Sequence, residues 1–375
     1  MREVLFLDGD RACAMAAIRA GCRFFAGYPI TPASEIAEYM AEELPKVGGV
    51  FVQMEDEIAS IMAALGASWA GLKAMTATSG PGFSLMAEAM GFAAATETPI
   101  VVVDAQRAGP ATGAASKPWQ GDLLQAKWSS SGDYEVVAIY PYSVQEVYEL
   151  TVEAFNLAEQ LRAPVVLLLD AVLAHTRERL RVPEEVRIVN RKKPSVPPGS
   201  YLPYAADPGD LVPPMANFGE GYYVRVETTT HDEKGSPKSS DAYVHFKLVK
   251  RINDKIRLKA REIAKADTYM VEGSDYLIVA TGFMARIAKV AVRELREEGV
   301  KVGLFRPVTI WPFPYERLSD VASKSRKVLV LEMNYGQLYR IVSEGYGRKG
   351  LVNLNWLYFR PPTPDEVKEL IRGEI

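Results

Sequence analysis

Cysteine is almost absent: Cys13 and Cys22 are the only two in 375 residues. Two thiolates cannot hold a four-thiolate iron–sulfur cluster, nor a cysteine-rich zinc site without help. Both fall in RACAMAAIRAGCRFF, which reads as buried helix, so they are expected to be inert core thiols. Histidine is nearly as scarce. His175, His231 and His245 are far apart and share no metal-ligand spacing, so no metal is assigned to the chain. An apolar run of the ~20 residues that a membrane span requires is missing. The first segment, MREVLFLDGDRACAMAA, carries acids where a secretory signal would run from positive charge to apolar residues. Cytoplasm is the expected location. A formal net charge of −3 leaves no footprint for nucleic acid or for an anionic membrane surface.

What the chain does contain is regular alternation. Its 48% hydrophobic and 24% charged residues are those of an ordinary globular protein, and its length predicts two or three domains. Over residues 1–182 helical and strand patterns take turns: AMAAIRAG, FFAG, ASEIAEYMAEEL, GVFVQME, AMTATSG, PGFSLMAEAMGFAAAT, PIVVVDAQ and APVVLLLDA. Continuous aliphatic runs mark strands covered on both faces, so the expected fold is α/β, a doubly wound and mainly parallel sheet. Residues 183–274 read as a Pro-rich arm, a strand GYYVRVET and one long basic helix from DAYVHFK to AKAD, whose charges are expected to form a solvated face. Residues 275–375 form a second α/β unit with strands DYLIVATG, VKVGLFRP and KVLVLEMN.

One stretch is unusual. VQMEDEIASIMAALGASWAG sets Glu55, Asp56 and Glu57 at a helix start and then offers few polar side chains, so the helix is expected to be buried nearly all round. The helix dipole accounts for acids at such a start in general, but three in a row need a further reason. Besides these acids, GYPITP (27–32), TSGPG (78–82) and AQRAGPATG (105–113) also sit where predicted strands end. Open α/β sheets place ligands at those ends, which points to one shared cleft.

Together GYPITPASE, MEDEIASIMAALGASWAG, TATSGPG, QRAGPATG and QGDLLQA resemble the alpha subunit of 2-oxoacid:ferredoxin oxidoreductases, most closely the 2-oxoglutarate branch. The resemblance runs on through THDEKG, FRPVTIWPFP and LEMNYGQL. It implies a thiamine-diphosphate pyrimidine-type domain over 1–182 and a transketolase C-terminal-like domain over 275–375. It also implies a buried glutamate facing N1′ of the aminopyrimidine, nine residues before a helix glycine. Counting back from Gly66 selects Glu57, leaving Glu55 and Asp56 as helix-start acids. Pro29, Ile30, Ser79 and Gly80 would line the cofactor, with Ala59, Ala63 and Gly66 small enough for close approach. Arg107 matches the arginine that grips the substrate carboxylate, and Thr31 the threonine that assists there. Lys117 would reach a second carboxylate. The family loop R-G-G-P-S-T-G here carries Ala108 and Ala111.

The family's Gly-Asp-Gly motif for diphosphate and Mg²⁺ does not occur in this sequence. The resemblance therefore implies a beta subunit carrying diphosphate contacts, Mg²⁺ and a [4Fe-4S] cluster. A gamma subunit is also expected, with room for a small ferredoxin-like delta subunit. CoA would be the co-substrate and ferredoxin the electron acceptor. Branched-chain 2-oxoacids or pyruvate are alternative substrates. A self-sufficient thiamine-diphosphate decarboxylase and a non-catalytic scaffold are the competing readings. The direction of flux and the stoichiometry stay open.

Overall fold

The computed structural model describes residues 4–375. Strands are numbered in chain order. The central sheet holds β2 (Cys22–Gly27), β3 (Val50–Gln53), β4 (Lys73–Thr78), β5 (Ile100–Ala108), β7 (Val137–Ile139) and β8 (Pro164–Asp170). These run parallel in the spatial order β7-β8-β5-β4-β2-β3. β6 (Ala114–Pro118) folds back on β5 as an antiparallel arm. β1 (Val4–Leu7) pairs with β9 (Glu178–Arg181) in a separate ribbon.

A second sheet contains β10 (Ala266–Tyr269), β11 (Tyr276–Val279), β12 (Val302–Pro307), β14 (Lys327–Glu332) and β15 (Leu351–Asn355), in the order β10-β12-β11-β14-β15. All of it is parallel except β10. This sheet therefore begins at Ala266, inside the stretch that the sequence assigned to the arm. β13 (Thr309–Trp311) leaves the second unit and adds antiparallel to β7, extending the first sheet.

The period of two along β5 and β8 shows why the strands are aliphatic throughout. Val101, Val103, Val165 and Leu167 face one core with Ala12, Phe25 and Phe155. Val102, Val166 and Leu168 face the other, with Ile61 and Phe83 and also Leu277, Phe305 and Trp311 of the second unit. Successive side chains on a strand point to opposite faces, so both faces must be apolar, and one of them is the seam between the two units.

Several expectations change here. GYYVRVET forms no strand, because its backbone finds a side-chain partner: the Tyr204 hydroxyl donates to the Arg225 carbonyl and accepts from the Glu227 N–H. The long basic helix stops at Arg257, and Ala260–Ile263 is a separate short turn. Its basic residues are not all solvated, since Arg251 and Lys255 reach the fully buried Glu97 at 2.6 and 2.9 Å. The run after TSGPG breaks at Met86 into helices Gly80–Leu85 and Ala87–Ala95. Helix Glu57–Trp69 is not buried all round, because Ile58 and Met62 are 48% and 40% exposed along one face. No helix among the described residues is long and apolar enough to cross a membrane.

Glu332, at the end of β14, is fully buried and accepts the N–H groups of Leu338 (2.6 Å) and Tyr339 (3.1 Å) at the start of helix Gln337–Tyr346. Burial pushes its carboxyl up from 4.5 to about 7. The native state therefore holds this proton more tightly than the unfolded chain. The stabilisation is full below the ordinary value and is lost as pH rises through the raised one. Glu332→Ala should cost about 2–4 kcal/mol by stranding two buried donors. It should also flatten the fall in melting temperature between about pH 5.5 and about pH 7.5. Thermal melts at both pH values check this, and an unchanged slope would refute the assignment.

Candidate active site

From β2 the chain steps outward to β3, then crosses back to β4 on the other side of β2 and continues to β5. The strand order reverses at β2, and such a switch point opens a crevice beyond the carboxyl ends of the strands. The four segments singled out in the sequence follow β2, β3, β4 and β5, so they surround this crevice.

The three acids separate by position. Glu55 is exposed, while Asp56 is the N-cap of helix Glu57–Trp69 and accepts the Ala59 N–H at 2.7 Å. With the cap filled, Glu57 takes the first helical position and turns inward, where it is 5% exposed. Its carboxyl lies against Gly82: a Cβ there would overlap Glu57 Oε1 and Thr78 Oγ1. Burial pushes the Glu57 carboxyl up, its own helix N–H draws it down, Asp56 raises it again and Arg107 lowers it. A carboxyl under opposing pulls of this kind is suited to exchanging a proton. TSGPG thus contributes more than a turn, for its second glycine makes room for the acid of the neighbouring loop. The sequence contained this signal, but it did not single out Gly82.

Arg107 is 7% exposed, near the end of β5. Its Nη1 donates to the Thr31 carbonyl at 2.8 Å, so the two expected substrate residues are in contact, through the threonine backbone. Its Nε is buried without an acceptor among the described residues. Gly113, at φ +54°, closes the following hairpin where any Cβ would overlap the Ala108 carbonyl. Ala111 also adopts φ +54°, a left-handed conformation uncommon for a residue with a Cβ. Lys117 lies on β6 beside Pro118, which registers against Arg107, and it is exposed.

Of the expected cofactor residues, Pro29 is exposed and Ile30 half-buried in the loop after β2, where the Ile30 carbonyl accepts the Ala33 N–H at 2.8 Å. Ser79 is fully buried and its hydroxyl finds no partner among the described residues. A Cβ on Gly80 would stand 3.4 Å from Asp122 Oδ2. Asp122 and Asp104 are an unforeseen buried pair, and among the described residues neither Asp104 oxygen has an N–H or hydroxyl donor. Burial pushes both carboxyls up, Asp104 well above the ordinary range and Asp122 to about 6, so the pair keeps a proton. An aspartate inside the aliphatic run IVVVDA was the available signal. The unpaired Ser79 hydroxyl, the unpaired Arg107 Nε and the buried Glu57 carboxyl fit a ligand with polar edges.

A doubly wound sheet with a buried helix-start glutamate at its switch point is the framework of an α/β ligand-binding domain. Residues 15–251 match the family model described as pyruvate flavodoxin/ferredoxin oxidoreductase, thiamine-diphosphate binding, and residues 274–358 match pyruvate:ferredoxin oxidoreductase core domain II. The chain belongs to the 2-oxoacid:ferredoxin oxidoreductase family. It is 53% identical to 2-oxoglutarate synthase subunit KorA of Methanocaldococcus jannaschii, covering 90% of each chain. It is 48% identical to the same subunit of Methanothermobacter marburgensis, covering 100% of each. Among solved structures, it superposes on 2-oxoglutarate:ferredoxin oxidoreductase of Magnetococcus marinus with a TM-score of 0.94 and 35% identity. That structure contains 2-oxoglutarate, coenzyme A and succinyl-CoA, and the alignment covers 100% of this chain and 65% of that one. A split-gene transketolase, at 14% identity and a TM-score of 0.54, shares the fold.

Gly82→Ala should displace the Glu57 carboxyl while leaving the sheet intact. A shift near 1 Å at such a group costs on the order of a hundredfold in rate. Turnover of the assembled enzyme and circular dichroism of the variant check this together. Full activity in a folded variant would show that the contact is unimportant.

Proposed function

We propose that this chain is the alpha-type subunit of a 2-oxoacid:ferredoxin oxidoreductase acting on 2-oxoglutarate. The assembled enzyme converts the 2-oxoacid and CoA to acyl-CoA and CO₂ and passes two electrons to ferredoxin. The observation that carries this reading is a buried Glu57 carboxyl on Gly82, in one crevice with an arginine anchored to the Thr31 loop. Bound thiamine diphosphate would supply the carbon nucleophile and electron sink. Glu57 would hold and return a proton for the bound pyrimidine. Ser79, Gly80, Pro29 and Ile30 would line the pyrimidine side. Arg107 offers a fixed, always-charged fork to the substrate carboxylate, held by its bond to Thr31. Lys117 stands free on the adjoining strand for a distal carboxylate.

The other half of the site belongs to a partner. The sequence has no Gly-Asp-Gly motif, and both cysteines are buried free thiols with their thiol pushed up to about 12. A beta subunit is assigned the diphosphate, Mg²⁺ and [4Fe-4S] cluster, alongside a gamma subunit and with room for a small ferredoxin-like delta subunit. The exposed apolar residues Tyr28, Ile58, Met62 and Leu85, on the loops and helices around the crevice, are what such a partner would cover.

The test is copurification from the native source, then viologen reduction with CoA across a panel of 2-oxoacids. 2-Oxoglutarate should be preferred, and Glu57→Gln should lower turnover by about 10²–10⁴. Unchanged turnover would make this a non-catalytic subunit. Arg107→Lys should raise KM for every 2-oxoacid by about tenfold or more. Lys117→Ala should raise it for 2-oxoglutarate and not for pyruvate.

A further inference from the structure

Three helix ends converge beside the loop that follows β2. Asp10 lies in the first turn of Gly9–Arg19, Glu35 in the first turn of Ser34–Glu43, and His175 ends Ala171–His175. The approach is tight, since a Cβ on Gly9 would overlap the Leu173 carbonyl oxygen. One ligand atom from each of Asp10, Glu35 and His175 falls within 4.8 Å of the others, and His175 Nδ1 is 3.5 Å from Glu35 Oε1.

Asp10 is the telling member. It is fully buried, and neither carboxylate oxygen has a hydrogen-bond partner among the described residues. A buried carboxylate without donors or counter-charge is strongly disfavoured. The nearby basic residues do not help, because Arg11 and Arg177 both turn to Asp8, at 3.6 and 3.9 Å. Glu35 and Glu38 add further negative charge. The Asp10 and Glu35 carboxyls meet, so a positive charge between them and His175 would satisfy both.

We propose that Asp10, Glu35 and His175 bind a first-row divalent metal ion. Two carboxylate oxygens and one imidazole nitrogen form a mixed O/N set that suits Mn²⁺, Fe²⁺ or Zn²⁺ better than Ca²⁺ or Mg²⁺. Bonds of about 2.1 Å put ligand atoms roughly 3–4 Å apart, so the longest separation needs to contract by roughly 1–2 Å. The two outer ligands can supply it: His175 and Glu35 have side chains 44% and 35% exposed. Water would fill the remaining positions. Because Glu35 follows Thr31 by four residues, the ion would pin the start of the helix behind the loop that Arg107 holds. The proposal rests on this geometry and not on the assigned reaction.

The full chain, stripped with a chelator and kept free of thiamine diphosphate, is titrated with Mn²⁺ while the free ion is followed by electron paramagnetic resonance. Zn²⁺ competition follows. Wild type should bind one equivalent, and His175→Ala and Asp10→Asn should each weaken that binding at least tenfold. Wild type should also gain about 3–5 °C in melting temperature with metal in hundredfold excess over its Kd, and the variants should not. If Asp10→Asn fails to fold, His175→Ala decides alone, because its side chain is exposed. Equal binding by wild type and His175→Ala, or no Mn²⁺ or Zn²⁺ binding by wild type, would overturn the proposal. In that case Asp10 and Glu35 would be a carboxyl pair sharing a proton.

Discussion

The first unit is organised around one constraint: a carboxyl group kept out of water at the start of a helix. Burial alone would leave Glu57 permanently neutral, and the helix start alone would leave it permanently charged. The chain combines the two. Asp56 fills the cap, Glu57 turns inward at the first helical position, and Gly82 leaves the volume that the carboxyl occupies. Arg107 adds positive charge close enough to pull the carboxyl back down. These contributions come from the ends of β3, β4 and β5, so the arrangement exists only once those strands are in register.

That register is held from outside as well. Gln120 donates to the Tyr140 hydroxyl (3.2 Å) and the Thr281 carbonyl (3.0 Å), and its backbone N–H donates to the Met333 carbonyl (3.1 Å). Asn334 of the second unit returns a bond to the Gln120 carbonyl at 2.8 Å. Two residues on, Asp122 sits against Gly80. The second unit thus fixes the segment that backs the Ser79 turn, and β13 adds its own strand to the first sheet. Residues distant from the crevice are in this way mechanically part of it.

Much of this could be read from the sequence where the signal is periodic or local. β5 and β8 were visible because both faces are buried, and the four loops because Gly, Pro and acidic residues interrupt aliphatic runs. The identity of Glu57 came from spacing to Gly66 and from the family resemblance. What could not be read is what depends on side chains meeting across the fold. Arg251 and Lys255 looked like surface charge, yet they neutralise Glu97, 154 and 158 positions away. GYYVRVET has strand composition, but a tyrosine hydroxyl satisfies its backbone where a neighbouring strand would have. The Asp104–Asp122 pair and the convergence of Asp10, Glu35 and His175 likewise arise only from packing.

The exposed face of helix Glu57–Trp69 connects these points. The sequence argued for burial on all sides, and the single chain leaves Ile58 and Met62 half in water. An apolar stripe at i and i+4 is nonetheless built to be covered. A Cβ on Gly66, further along that face, would meet nothing within 4 Å, so the space there is open in the single chain. Under the proposed function the cover is the partner that grips the other end of the cofactor. Removing water from that face would also lower the local dielectric around Glu57 and strengthen every pull on its proton. The acid would then be tuned by assembly as much as by its own fold.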